Sequence, residues 1–229
     1  MYKTVRSKIK LFIAVIIIVV SLIAIKKLVV DPQPVRDIKM NTVYICGFWN
    51  RYPVRTQSRY YIEFKDDKTY ILMHDDSRRH QENYGEDGDG SKPGIKIYFG
   101  KYEISNGNYM LKTTDSAGVW FENTMAVAKK KINHYSKEVF EVEKYILEDH
   151  GRSAEINIFR TRKGQYVLGY SNNEDVSYDK NRNYYLLYNK SDIKKLPNSV
   201  EEFRKQYKMD KKAEQERLAE QERLAKQSQ

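Results

Sequence analysis

Residues able to carry chemistry are sparse in this chain. His74, Asp75, Asp76 and His80 fall within seven positions, and nitrogen and carboxylate donors so close together suit a metal ion or an acid–base pair. A metal site needs ligands converging on a fixed frame, however, and this group lies where a strand-like run gives way to a polar loop. A solvated loop edge is the reading the spacing favours. Further on, the acidic stretch 82–90 places Glu86, Asp87 and Asp89 beside Gly88 and Gly90. That arrangement suits at most weak cation binding. The evenly spaced ligands and closing glutamate of an EF-hand are missing, and Lys92, Pro93 and Gly94 follow instead. Cys46 is the only cysteine, so no intramolecular disulfide can form; flanked by Ile45 and Gly47, it reads as a small buried hydrophobe. The chain has no G-x-S-x-G elbow, no glycine-rich phosphate loop and no H-E-x-x-H. No catalytic residue, metal ligand or cofactor is assigned from the sequence, and an enzyme is the minority expectation.

The elements around these residues begin with an apolar run. Residues 11–25 are uncharged, and continuing through Lys26 and Lys27 to Val30 gives a 20-residue stretch, about 30 Å long as a helix. Lysines near its end can snorkel to the headgroups. The stretch lacks the paired small residues of a good cleavage site, since a cut after Ala24 leaves Leu22 at the other position. An uncleaved signal-anchor over 11–30 is expected, with residues 1–10 as a basic cytoplasmic tail. Lys3, Arg6, Lys8 and Lys10 precede the run and Lys26, Lys27, Arg36 and Lys39 follow it, so charge nearly ties across the span. The free amino terminus and the absence of acids before Asp31 favour the tail inside. The large domain is then expected outside the inner membrane, in the periplasm or its equivalent.

Six of the 41 basic residues lie in the first 30 positions, which leaves 35 against 31 acids in the remainder. The net charge of +10 thus belongs largely to the membrane flanks, and a nucleic-acid partner is not expected.

Residues 31–41, with Pro32 and Pro34, read as a linker. From 42 to 197 the pattern turns to period two. Nine runs suit strands: 43–50, 59–64, 69–74, 96–104, 109–114, 139–147, 154–161, 166–170 and 183–189. Turn signals stand at 65–68, at Asn106-Gly107 and at 162–165, while 75–94 reads as a long polar loop and 115–137 fits either helix or strand. The expected fold is mainly β: an antiparallel barrel or sandwich of about eight to nine strands, with an N-terminal transmembrane helix and a C-terminal helical tail over 198–229. Asn198 and Glu201 have the spacing of a capping box, and Val200, Phe203 and Tyr207 share one helical face that would dock on the β-domain. The repeated AEQERL at 213–218 and 219–224 turns its leucines apart, so a solvated helix or frayed tail is expected there.

Gly47-Phe48-Trp49, followed by Arg51 and by the hairpin sequence YIEFKDDKTYI from Tyr61, resembles the opening of lipocalin-like (calycin) domains. The resemblance implies a β-barrel over about 42–190, with Gly47 bending the first strand and Trp49 closing one barrel end. It also implies a basic partner near the last strand, for which Arg182 and Lys190 both qualify. The missing disulfide pair departs from the pattern. Two functions follow: a membrane-tethered binding module for an envelope protein or an apolar ligand, and, as the alternative, a tethered hydrolase using carboxylates or the His74–His80 segment.

Overall fold

The computed structural model describes residues 2–26, 30–85, 88–137, 145–146, 153–154, 156–171 and 178–227. The chain divides into a helical unit up to Gln33 and a β unit from Pro34 onward. In the first unit, α1 (Tyr2–Ile25) starts nine residues earlier than expected, and Lys26 and Val30 beyond it are π-helical. Its start has a local reason: lysine and arginine are good helix formers and nothing before Asp31 breaks a helix. Among the described residues no helix is long and apolar enough to cross a membrane, so the expected span over 11–30 is not established; residues 27–29 of it lie outside the described residues.

The second unit is an antiparallel barrel. Five strands follow one another as a meander: β1 (Val43–Phe48), β2 (Arg59–Phe64), β3 (Thr69–Asp75), β4 (Gly94–Ser105) and β5 (Asn108–Trp120). The chain then makes an excursion through α2 (Thr124–Ala128), β6 (Lys131–Ile132), β7 (His134–Ser136), β8 (Tyr145–Ile146) and β9 (Ser153–Ala154). It returns as β10 (Ile156–Arg160), β11 (Tyr166–Tyr170) and β12 (Tyr184–Tyr188). β12 pairs with β1 and β10 pairs with β5, which closes eight strands; β7 adds a ninth along the far half of β5. The ambiguous stretch 115–137 therefore holds both strand and helix. The run expected at 139–147 lies mostly outside the described residues.

Period two makes the barrel two-faced. On one face Tyr44, Tyr60, Phe64, Tyr102, Tyr109 and Tyr166 belong to a single buried cluster. Phe64 and Tyr109 stand on strands three apart, yet their ring centroids are 4.7 Å from each other. Only side chains meeting across the barrel can do this, so that face is the interior, and its lower half is filled by the Phe64, Tyr102, Tyr109 and Tyr166 rings. Halfway along β4 and β5, Phe99 faces Asp115 and Gly100 faces Thr113, so Thr114 is an extra residue that bends the pair. A Cβ at Gly100 would stand 2.1 Å from the Lys112 carbonyl oxygen, which fixes glycine there.

The barrel ends differ. One carries the tight turns: Asn106 and Gly107 both have positive φ (51° and 77°), as a two-residue hairpin requires. The same end is plugged by residues 34–40. Val35 bridges β12 and β11, donating to the Leu187 carbonyl at 2.8 Å and accepting from the Tyr166 N–H at 3.0 Å, and Ile38 is buried beside it. The stretch expected as a linker thus packs from Pro34 onward. The opposite end carries every long connection: 49–58, 76–93, 121–155 and 171–183.

The outer face of β1 to β5 is covered as well. After β12 the chain runs as a strap in which Leu196, Val200 and Phe203 bury against Ile45, Ile71, Ile97 and Val119. Within it, α3 (Val200–Lys205) docks through the face expected from sequence, but its cap is Ser199 rather than Asn198. Ser199 Oγ accepts the Glu202 N–H at 3.1 Å, and Glu202 reaches back to the Asn198 N–H at 2.8 Å. The cap is therefore shifted one residue, and the glutamate that answers it accepts from the residue before the cap rather than from the cap itself. β13 (Lys208–Met209) pairs with β6, and α4 (Lys211–Gln227) follows as an exposed helix.

Candidate functional site

The His74–Asp76 group lies at the loop end of β3, but its members point to different places. His74 faces the barrel interior, stacked on Tyr60 with centroids 4.2 Å apart and planes 9° from parallel. Its Nε2 lies 2.8 Å from Ser58 Oγ. Ser58 was not singled out by sequence, because only the register of Tyr60 opposite His74 brings it there. A serine beside an imidazole suggests nucleophile and base. Burial, assisted by the Lys96 charge, pushes the His74 imidazole down to about 4, so it is a weak base. The Ser58 hydroxyl is also drawn on by Asp76, whose carboxyl burial raises above its ordinary value against the pull of Arg79 and Ser58.

Asp75 turns outward into an ionic knot. Its Oδ2 is 2.6 Å from Arg78 Nε, and Arg78 reaches Asp192 of the strap at 2.8 Å. The Tyr61 hydroxyl donates to Asp192 at 2.8 Å, and buried Arg59 lies 3.6 Å from the same carboxylate. Burial would raise the Asp192 carboxyl, but Tyr61, Arg78 and Arg59 together hold it below its usual range. Bridging β2, the loop after β3 and the strap, the knot is structural. In the acidic loop, Asp89 is engaged by Arg79 at 2.6 Å, and Arg79 and Ser91 hold its carboxyl far below the ordinary value; Glu86 and Asp87 lie outside the described residues. His80 is exposed on the loop. No group of three or more His, Cys, Asp or Glu able to hold a metal occurs among the described residues. Cys46 is wholly buried in the interior, where desolvation pushes its thiol up, so it is chemically quiet.

The loop after β1 is built differently from what the resemblance implies. Trp49 is not buried in the barrel end: it is 55% exposed, and its ring stacks on that of Phe48 at 5.4 Å. Tyr60, His74 and Tyr185 pack in the mouth beside Phe48. The cause lies in Gly47. Arg51 folds back so closely that a Cβ on Gly47 would stand 1.9 Å from the Arg51 carbonyl oxygen. The reversal requires a positive φ of 53° at Trp49, which its backbone bonds fix: its N–H donates to Tyr184 O at 2.7 Å, and its carbonyl accepts from Leu186 at 3.2 Å. Gly47 does permit a bend, but the bend turns the tryptophan outward. The result is a group of exposed apolar side chains at this end of the barrel: Phe48, the last residue of β1, at 44%, and on the loop after it Trp49 at 55%, Tyr52 at 36% and Val54 at 57% exposure. Of the two basic residues the resemblance offered, Arg182 lies over the Tyr170 ring at 5.6 Å, and Lys190 offers its carbonyl to the Tyr52 hydroxyl at 2.8 Å. Compared with known proteins, the chain matches no family model, no curated protein and no solved structure.

Proposed function

We propose that this protein is a non-catalytic interaction module: a lipocalin-like barrel held at a membrane by residues 11–30, with its N-terminus inside and its β unit in the extracytoplasmic space. The observation that carries the reading is the exposure of Phe48 at the end of β1 and of Trp49, Tyr52 and Val54 on the following loop, whose backbone is specifically shaped for it. Exposed aromatic rings on an ordered loop are typical of protein contact sites, where they supply apolar area with little loss of freedom. A partner protein outside the barrel fits better than an apolar ligand within, because the barrel's own rings occupy the interior.

A photo-crosslinking residue at position 49 or 52 of the full-length chain in its native membrane tests this. One discrete protein adduct is expected from both positions and none from position 107, on the plugged end. Equal adducts from all three positions would refute the reading. Alkaline carbonate extraction should leave the full-length chain in the membrane pellet. The contact between Ser58 and His74 supports a second reading, a hydrolase, for which fluorophosphonate labelling of Ser58 is the discriminating assay; the weakly basic imidazole leads us to expect none.

A further inference from the structure

Arg59, Arg78, Arg79, Lys65 and Lys92 each lie within 3.6 Å of a carboxylate. Four other cations gather around a single cleft instead. On the outer face of β10 to β12, away from the strap, a cleft of about 490 Å³ is rimmed by Arg160, Arg162, Lys163 and Lys180. Among the described residues none of the four makes an ion pair and no aspartate or glutamate lines the cleft.

The floor is apolar, formed by Val167 and Leu186, and two tyrosines stand over it. Tyr178 and Tyr184 meet edge to face at 5.4 Å, and Asn50 donates to the Tyr184 hydroxyl at 3.2 Å. The tyrosines are therefore held in place. The size lies within the range of small-molecule sites. Four cations at the rim of an apolar, ring-walled floor, with no carboxylate among the described residues to meet them, suit an anion that carries an apolar body, and guanidinium and ammonium groups are the usual partners of phosphate and carboxylate.

We propose that this cleft binds an organic anion, with its apolar or aromatic body on Val167, Leu186 and the tyrosines and its phosphate or carboxylate at the rim. The site is separate from the Phe48–Val54 contacts, adjoining that loop only through Asn50, and stands whether or not a partner docks there.

The test is isothermal titration of phenyl phosphate into the full chain in nanodiscs of zwitterionic lipid, with empty discs as blank. Saturable binding with a Kd of about 1 mM or tighter is expected. Inorganic phosphate should bind at least about tenfold more weakly, because it cannot use the floor. The double variant Arg162→Ala, Lys163→Ala changes two exposed turn residues and should weaken phenyl phosphate by about tenfold or more. Far-ultraviolet circular dichroism checks that this variant stays folded. Pure phosphatidylglycerol vesicles serve as competitor: displacement assigns the anion to a lipid headgroup, and no displacement assigns it to a soluble molecule. Absence of saturable heat, equal binding of inorganic phosphate, or unchanged affinity in the folded double variant each overturns the proposal.

Discussion

Replacing Asn157 with alanine tests how the barrel is closed. Seven of the eight junctions between barrel strands are ladders of several paired residues, but among the described residues β5 and β10 share a single pair, Ile158 opposite Tyr109. Two side-chain amides mend the seam. Asn157 Oδ1 accepts the Leu111 N–H at 2.7 Å, and Asn108 Oδ1 accepts the Arg160 N–H at 2.9 Å. Asn157 is only 1% exposed, so in Asn157→Ala the Leu111 N–H has no water to turn to. An orphaned buried donor costs about 1–3 kcal/mol. The Asn157 Nδ2 has no partner among the described residues, and deleting it removes one unsatisfied group, which brings the net loss to the low end of that range, about 1 kcal/mol. For a domain of this size that lowers the melting temperature by about 2–4 °C. Near-ultraviolet circular dichroism of the detergent-solubilised chain follows the melt through its tyrosines, and hydrogen exchange follows the Leu111 amide. Asn108→Ala should act in the same direction, and the double variant should cost less than the sum, since both amides hold one seam. A melt within about 1 °C of wild type, with Leu111 still protected, would refute the role given to the seam.

Other consequences are more direct. Trp49→Ala should change stability by well under the roughly 3–5 kcal/mol of a buried tryptophan, because the ring is exposed; a large fall in the thermal melt would put it back in the core. Deleting residues 211–229 should leave the melt unchanged, since α4 is solvated and carries ion pairs only of the weak surface kind, such as Lys212–Glu216 and Arg223–Glu220. His74 is held neutral, with its folded value at about 4 against an ordinary 6.5. The unfolded chain therefore binds the extra proton first, and stability should fall as pH drops from 6.5 toward 4. The contribution is up to about 3 kcal/mol, and His74→Phe should flatten that part of the profile in denaturant titrations.

The strands were legible because each alternates and each tight turn carries its own chemistry, as Asn106-Gly107 does. Which face is the interior was not. All six residues of β2 are buried, so Tyr61 and Ile62 look alike to a period-two reading, and only the strap across the outer face explains why. Trp49 misled for a related reason: tryptophan is usually packed inside, but its direction depends on Arg51 folding back over Gly47, a contact no spacing encodes. Ser58 meets His74 only through the pairing of β2 with β3. The cations of the cleft come from the end of β10, the β10–β11 turn and Lys180 before β12, which become neighbours only when β10, β11 and β12 pair side by side.

These two failures of local reading point the same way. A barrel that serves as a calyx keeps its interior open and its outside unremarkable. Here the rings of Phe64, Tyr102, Tyr109 and Tyr166 occupy the lower interior, Val35 and Ile38 plug that end, and the strap covers β1 to β5. What stays accessible is the aromatic loop at one end and the outer face of β10 to β12. The exposed rings of Phe48 and Trp49 and the cations around the cleft lie on this uncovered surface. Binding on the outside of the barrel is therefore the arrangement most consistent with where the chain has spent its packing.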